Sequence, residues 1–212
     1  MLYDLVFEKV KEKLSKSGGC HDFDHTLRVI SNAADLTALL PESDAGMVKL
    51  GALLHDYARP EEDDSCGSID HAVHGAELVF RLLVSLNCSQ EFAGAVSKIV
   101  QRHRFRGEEK PETLEEKIVY DADKLDSLGA VGIGRAFLFA GKTGARLHNE
   151  TSVALAGAPY SVEDTAYREY LVKLRFLPEK MQTSPGRKIA AERLKIMDEF
   201  FRVLDAETGI NR

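Results

Sequence analysis

Residues 113–128 read TLEEKIVYDADKLDSL. Thr113 followed by Glu116 is a capping-box pattern, in which hydroxyl and carboxylate satisfy each other's backbone N–H groups at a helix start. Behind the box, Ile118, Val119, Leu125 and Leu128 give the predicted helix an apolar side. Asp121, Asp123 and Asp126 ride on the same segment. A carboxylate such as Asp123, set among apolar neighbours, is costly unless it is paired, hydrogen-bonded or bound to a metal. One stretch therefore predicts both a helix and a place for chemistry.

Both directions from this stretch also read as helical. Upstream, Leu2, Leu5, Val6, Val10 and Leu14 fall at helical spacing, and Gly18-Gly19 stops that helix. A second helix is expected from Asp22 or Asp24 to about Leu40, ahead of Pro41. A third, from about Ser43, carries Met47, Leu50, Leu53 and Leu54 and ends before Pro60. Residues 60–68 (PEEDDSCGS) read as an acidic loop, followed by helices over about Ile69–Leu86 and Gln90–Phe105. Downstream, Gly129, Gly132 and Gly134 mark residues 129–140 as a short or closely packed helix. Residues 141–160 read as irregular, the kind of stretch that is often functional or a lid. Ser161 and Asp164 suggest a capped helix to about Met181, and Ser184-Pro185 starts a last one to about Asp205. With no alternating strand pattern and no repeat, the expected fold is all-α, a compact helical bundle. At 212 residues, one domain over 1–212 is the default.

Composition narrows the function classes. Net charge is −6, which argues against a nucleic-acid footprint of clustered Lys and Arg. A phosphorylated substrate stays open, because a bound cation inverts the local field. Three cysteines, Cys20, Cys66 and Cys88, follow no CxxC spacing, so a reducing cytoplasm is expected rather than a disulfide framework. The first residues, MLYDLVFEKVKEKL, mix charges throughout and do not read as a secretory leader. No uninterrupted apolar run is long enough for a membrane span.

The histidines are His21, His25, His55, His71, His74, His103 and His148. Most sit near expected helix ends or beside acids, in HDFDH, LLHDY and IDHAVH. His55 and Asp56 are adjacent and point in different directions along a helix, so a shared ion must lie where an imidazole and a carboxylate converge. Mixed imidazole and carboxylate ligands suit a divalent transition ion better than Mg²⁺. Nothing matches a zinc finger or HExxH. The residues by themselves lead as far as a candidate His/Asp metal site in a helical protein, with surface pairs and caps as the ordinary alternative.

HDFDHTLRV, ALLHDYARP, HAVHGAEL, IVQRHRFRG and DADKLDSLGAVGIGRAF, in this order and separation, resemble the HD-domain metal-dependent phosphohydrolase superfamily over about residues 20–140. The resemblance implies an HD-type bundle with a C-terminal helical extension at about 161–208. It implies metal ligands His25, His55, Asp56 and Asp123, with His21 as a cap or outer partner. His71 and His103 fall where some members hold a second metal; otherwise they would touch phosphate oxygens. His74 and His148 receive no role. The implied cofactor is a divalent ion, with Mn, Mg, Co, Ni, Fe and Zn not distinguished. The implied reaction is attack of water on a phosphoester or phosphoanhydride of a small phosphorylated molecule, a nucleotide above all.

In that scheme Asp56 also serves the attacking water, and Lys124 and Arg135 carry phosphate-side charge, with Arg28 and Arg59 as weaker candidates. Glu61 or Glu62 is an alternative carboxylate for the water. Phe23, Tyr57 and Phe105 are able to stack a base, although core packing is their ordinary use. Four competing readings remain. A cyclic-nucleotide or signalling-nucleotide phosphodiesterase is one, although the GYP segment of the dinucleotide enzymes is absent. The others are a non-catalytic metal- or nucleotide-binding sensor, a di-iron oxygenase that would need His71 and His103, and a hydrolase of nucleic-acid phosphate ends. Apolar stripes on the last two helices allow an oligomer.

Overall fold

The computed structural model describes residues 2–15, 22–65, 67–104 and 109–210. Helices account for all its regular structure; no strand occurs among the described residues. The chain divides into two compact units, Met1–Asp123 and Lys124–Arg212.

The first unit contains α1 (Leu2–Leu14), α2 (Phe23–Leu39), α3 (Ala45–Leu54), α4 (Arg59–Asp64), α5 (His71–Ser85) and α6 (Gln90–Arg102). It also holds α7 (Leu114–Leu125) as far as Asp123. Helices α5 and α6 form a hairpin around Asn87, whose φ of 62° lies in the left-handed region that Asn tolerates. Val6, Val10 and Leu14 of α1 meet Leu50, Leu53 and Leu54 of α3, Val79 and Leu83 of α5, and Val96 and Val100 of α6 in one buried core. Gly51 lets α3 approach α6 closely, since a Cβ there would stand 2.7 Å from Ile99 Cγ2. Phe23 and Tyr57 pack against this core.

The capping box stands as expected: Glu116 N–H donates to Thr113 Oγ1 at 3.2 Å, and Thr113 N–H to Glu116 Oε2 at 3.4 Å. The acidic loop at 60–68 is corrected, since α4 occupies Arg59–Asp64. Pro60 stands at its start, where a missing N–H costs nothing, and Glu61 and Glu62 sit in its first turn, which favours acids.

The second unit contains α8 (Gly129–Lys142), α9 (Thr151–Ala156), α10 (Ala166–Val172), a 3₁₀ turn at Leu174–Phe176, α11 (Leu177–Lys180) and α12 (Ser184–Thr208). Stacked and edge-on rings of Phe137, Tyr167, Tyr170, Phe200 and Phe201 fill part of its core. The single helix expected to reach Met181 is broken into three pieces. Its cap is Thr165, whose hydroxyl accepts from Arg168 N–H at 3.0 Å, rather than Ser161 or Asp164. No helix among the described residues is long and apolar enough to cross a membrane.

Candidate metal centre

Five elements of the first unit deliver their ends to one place. Asp22 accepts from His25 N–H at 3.0 Å and starts α2, which puts His25 in the first turn. His55 caps the end of α3 and Asp56 follows it. His71 is the first residue of α5, and His103 caps the end of α6. Asp123 comes from α7. His25, His55, Asp56, His71 and His103 are all buried. Asn32 Nδ2 donates to Ala122 O at 3.0 Å, fixing α2 against α7 one residue before Asp123.

The four imidazoles stand in the order His25, His55, His103, His71. Successive ring centroids are 5.2, 5.1 and 5.2 Å apart. His25 Nε2 and His55 Nε2 face each other at 3.3 Å, and His71 Nε2 and His103 Nε2 at 3.2 Å. The two oxygens of Asp56 serve different pairs. Oδ2 lies 3.7 Å from His25 Nε2 and 3.5 Å from His55 Nε2. Oδ1 lies 3.3 Å from His71 Nε2 and 3.7 Å from His103 Nε2. Asp123 Oδ1 stands 3.4 Å from His25 Nε2.

The other ring nitrogens settle the proton positions. His55 Nδ1 faces Ala52 O at 2.8 Å, and His103 Nδ1 faces Val100 O at 2.6 Å. His71 Nδ1 faces Glu62 Oε2 at 2.8 Å. Each partner only accepts, so each of these Nδ1 atoms carries a proton and each ring turns its Nε2 inward. Burial pushes His55 down to about 4 and His103 down as well, outweighing the pull of Asp56 and Asp123. Imidazole nitrogens and carboxylate oxygens thus converge on one place.

A cation fits this donor set. Two ligand atoms each about 2.1 Å from one ion stand about 3.0–3.4 Å apart at right or tetrahedral angles, the range of the facing Nε2 pairs. The ligand atoms of His25, His55 and Asp123 lie within 4.8 Å of one another, as do those of Asp56, His71 and His103. The chemistry of nitrogen and carboxylate donors suits divalent transition ions.

Most of the remaining sequence candidates have partners of their own. Arg59 is held by Asp56, at 3.4 Å, and by Glu62. Glu61 pairs with Lys13 at 2.5 Å. Lys124 is buried at the start of the second unit, and Arg135 there donates to Asp126 Oδ2 at 2.8 Å. His74 is half-buried on α5, and His148 pairs with Asp205 at 2.6 Å in the second unit. His21 and Phe105 lie outside the described residues. Spacing did not reveal Glu62 as the partner of His71, and no local signal in the sequence announces it.

The HD domain family model matches residues 22–128. The protein YpgQ of Bacillus subtilis (strain 168) is 33% identical over 205 residues, spanning 93% of this chain and 89% of that one. The crystal structure of B. subtilis YpgQ in complex with ADP superposes with a TM-score of 0.74 at 29% identity, covering 96% of each chain. That of a predicted HD superfamily hydrolase from an uncultured Thermotogales bacterium gives a TM-score of 0.68 at 29% identity, covering 96% of this chain and 91% of the other. The ordered histidines and aspartates, the helical unit that gathers them and these matches agree: the chain belongs to the HD domain family.

Proposed function

We propose that this chain is a metal-dependent phosphohydrolase that cleaves a phosphoester or phosphoanhydride bond of nucleotides. The observation that carries the reading is the complete inward donor set, His25, His55, Asp56 and Asp123, in which Asp56 offers its second oxygen to His71 and His103. A sensor that had lost its chemistry would not need every one of these groups. The ADP bound to YpgQ supports a nucleotide as the substrate class.

In this scheme His25, His55, Asp56 and Asp123 hold one divalent cation, and His71 and His103 share Asp56 in holding a second. Bound there, such ions supply Lewis acidity, which makes hydroxide available near neutral pH and draws charge from a phosphoryl oxygen. Asp56, nearly closed off at 3% side-chain exposure, keeps its oxygens directed at the two ring pairs. Asp123 is more open at 17%, and Asp56 serves the attacking water as well as the ion. Lys124, which directly follows Asp123 on α7, supplies phosphate-side charge. Phosphoryl transfer asks for positioning and charge neutralisation more than covalent chemistry, which is what such a set offers.

The test is release of phosphate and pyrophosphate across a nucleotide panel, with Mn²⁺, Mg²⁺, Co²⁺ or Ni²⁺ and with EDTA. Metal-dependent release that EDTA stops, and that Asp123→Ala abolishes together with metal content, is expected. Full turnover by metal-replete Asp123→Ala protein would sink the assignment. Metal binding without release from any nucleotide would return the sensor and oxygenase readings.

A further inference from the structure

We infer that Glu62 is the positioning residue of the second half of the cluster, setting through His71 the affinity for a second divalent cation. The inference rests on the metal-centre reading above, and begins from a difference among the histidines. His55 and His103 each sit just past a helix and donate Nδ1–H to a carbonyl three residues back, Ala52 O or Val100 O. A residue at a helix end has such a carbonyl supplied by its own last turn. His71 opens α5 and has no preceding turn. Its Nδ1 partner must come from elsewhere, and Glu62 of α4 provides it at 2.8 Å.

The carboxylate is itself held on both sides. Arg59 Nη1 donates to Oε2, and Arg104 Nη1 approaches Oε1 at 3.2 Å. Arg104 also grips Asp70 Oδ2 at 2.5 Å, and Asp70 caps α5 through Ala72 N–H and Val73 N–H. Glu62 is buried, so its charge needs these two cations. Burial would raise its pKa, but the His71 hydrogen bond and the two guanidinium groups bring it down to about 2. With both oxygens taken, Glu62 does not act as the base for a water. An anionic acceptor on Nδ1 fixes the ring orientation and makes Nε2 a stronger donor than a carbonyl acceptor does. The His71 half therefore depends on a side chain where the other half depends on backbone.

The experiment titrates metal-free protein with Mn²⁺, following stoichiometry by calorimetry and spin coupling by electron paramagnetic resonance. Wild type is expected to take two ions and to show a coupled signal at saturation. Glu62→Gln is expected to keep the first ion and to weaken the second by about 10–100-fold, the usual effect of removing such a partner. Glu62→Gln combined with His71→Ala should bind no worse than His71→Ala alone, because the effect passes through that ring. If Glu62→Gln does not fold, Glu62→Asp carries the same test, keeping the charge between Arg59 and Arg104 but drawing it back from His71. Wild-type affinity for the second ion in either variant, equal weakening of both ions, or additive losses in the double variant would overturn the inference. A single Mn²⁺ in wild type would also overturn it while leaving the hydrolase standing. No Mn²⁺ at all would instead remove the metal-centre reading.

Discussion

If His55 and His103 are buried as neutral donors, the metal-free protein must lose stability on mild acidification. Burial brings His55 down from 6.5 to about 4, helped by His25 and His103 and opposed by Asp56 and Asp123. The folded form keeps the ring neutral where the unfolded chain protonates it. The resulting stability is present above about pH 6.5 and is lost as pH falls toward 4. At about 1.4 kcal/mol per pH unit once the unfolded ring titrates, His55 alone removes about 2 kcal/mol between pH 7 and pH 5. His103, lowered by the same burial, adds to the loss. Glu62, lowered to about 2, acts in the same direction, but its share is lost mainly below about pH 5, where the unfolded carboxylate takes up its proton. Urea unfolding of EDTA-treated protein at pH 7, 6 and 5, followed by circular dichroism, measures the effect. His55→Gln should remove the His55 share. Equal stability at pH 7 and pH 5, or an undiminished slope in His55→Gln, would refute a neutral buried His55. Stabilisation by added Mn²⁺ should fade over the same window, because protons and cations compete for the same lone pairs.

Two further substitutions test how the helices aim the site. Gly51→Ala places a Cβ 2.7 Å from Ile99 Cγ2, where α3 and α6 bring His55 and His103 together. It should cost about 1–3 kcal/mol by overpacking, read as a lower urea midpoint. Ile99→Ala in the same chain should recover part of the loss; simple additivity would contradict the contact. Asn32→Ala removes the 3.0 Å bond to Ala122 O and should cost about 1–3 kcal/mol. It should also lower Mn²⁺ affinity by letting His25 drift from Asp123. Unchanged affinity in a destabilised variant would confine Asn32 to holding the fold.

What could be read from the sequence was what local chemistry determines. The Thr113–Glu116 box and the apolar side behind it specify α7 without help from the rest of the chain, and Asp22 does the same for α2. A proline inside a helix ends it, yet Pro60 at the start of α4 opens one. Residues 161–181 were read as one helix, but at Lys173 the backbone turns to φ −140°, ψ −59°, and Pro178 starts the short α11. The ligand types were visible as histidines and aspartates near helix ends. Their partition into two sets around one carboxylate was not, because it depends on how α5 and α6 pack against α3. The Glu62–His71 contact was hidden for the same reason, as it joins two helices whose relative placement no periodicity encodes.

The adjacency of His55 and Asp56 explains why one short segment organises the whole site. Within a regular helix, neighbouring side chains point about 100° apart, and an imidazole and the carboxylate after it would not share an ion easily. Here α3 ends at Leu54, and the chain tightens into turns closed by Tyr57 N–H on Leu54 O at 3.0 Å and Arg59 N–H on Asp56 O at 2.9 Å. The tightened backbone swings the Asp56 carboxylate back until Oδ2 stands 3.5 Å from His55 Nε2, leaving Oδ1 directed at His71 and His103. The same turn launches α4, whose Arg59 returns to Asp56 and whose Glu62 reaches His71. His55, the Asp56 carboxylate shared by the two ring pairs and the Glu62 that holds His71 all arise from residues 55–62. The pair therefore does its work at a helix end followed by a tight turn, and a regular helix continued through Asp56 would keep both residues and lose the site.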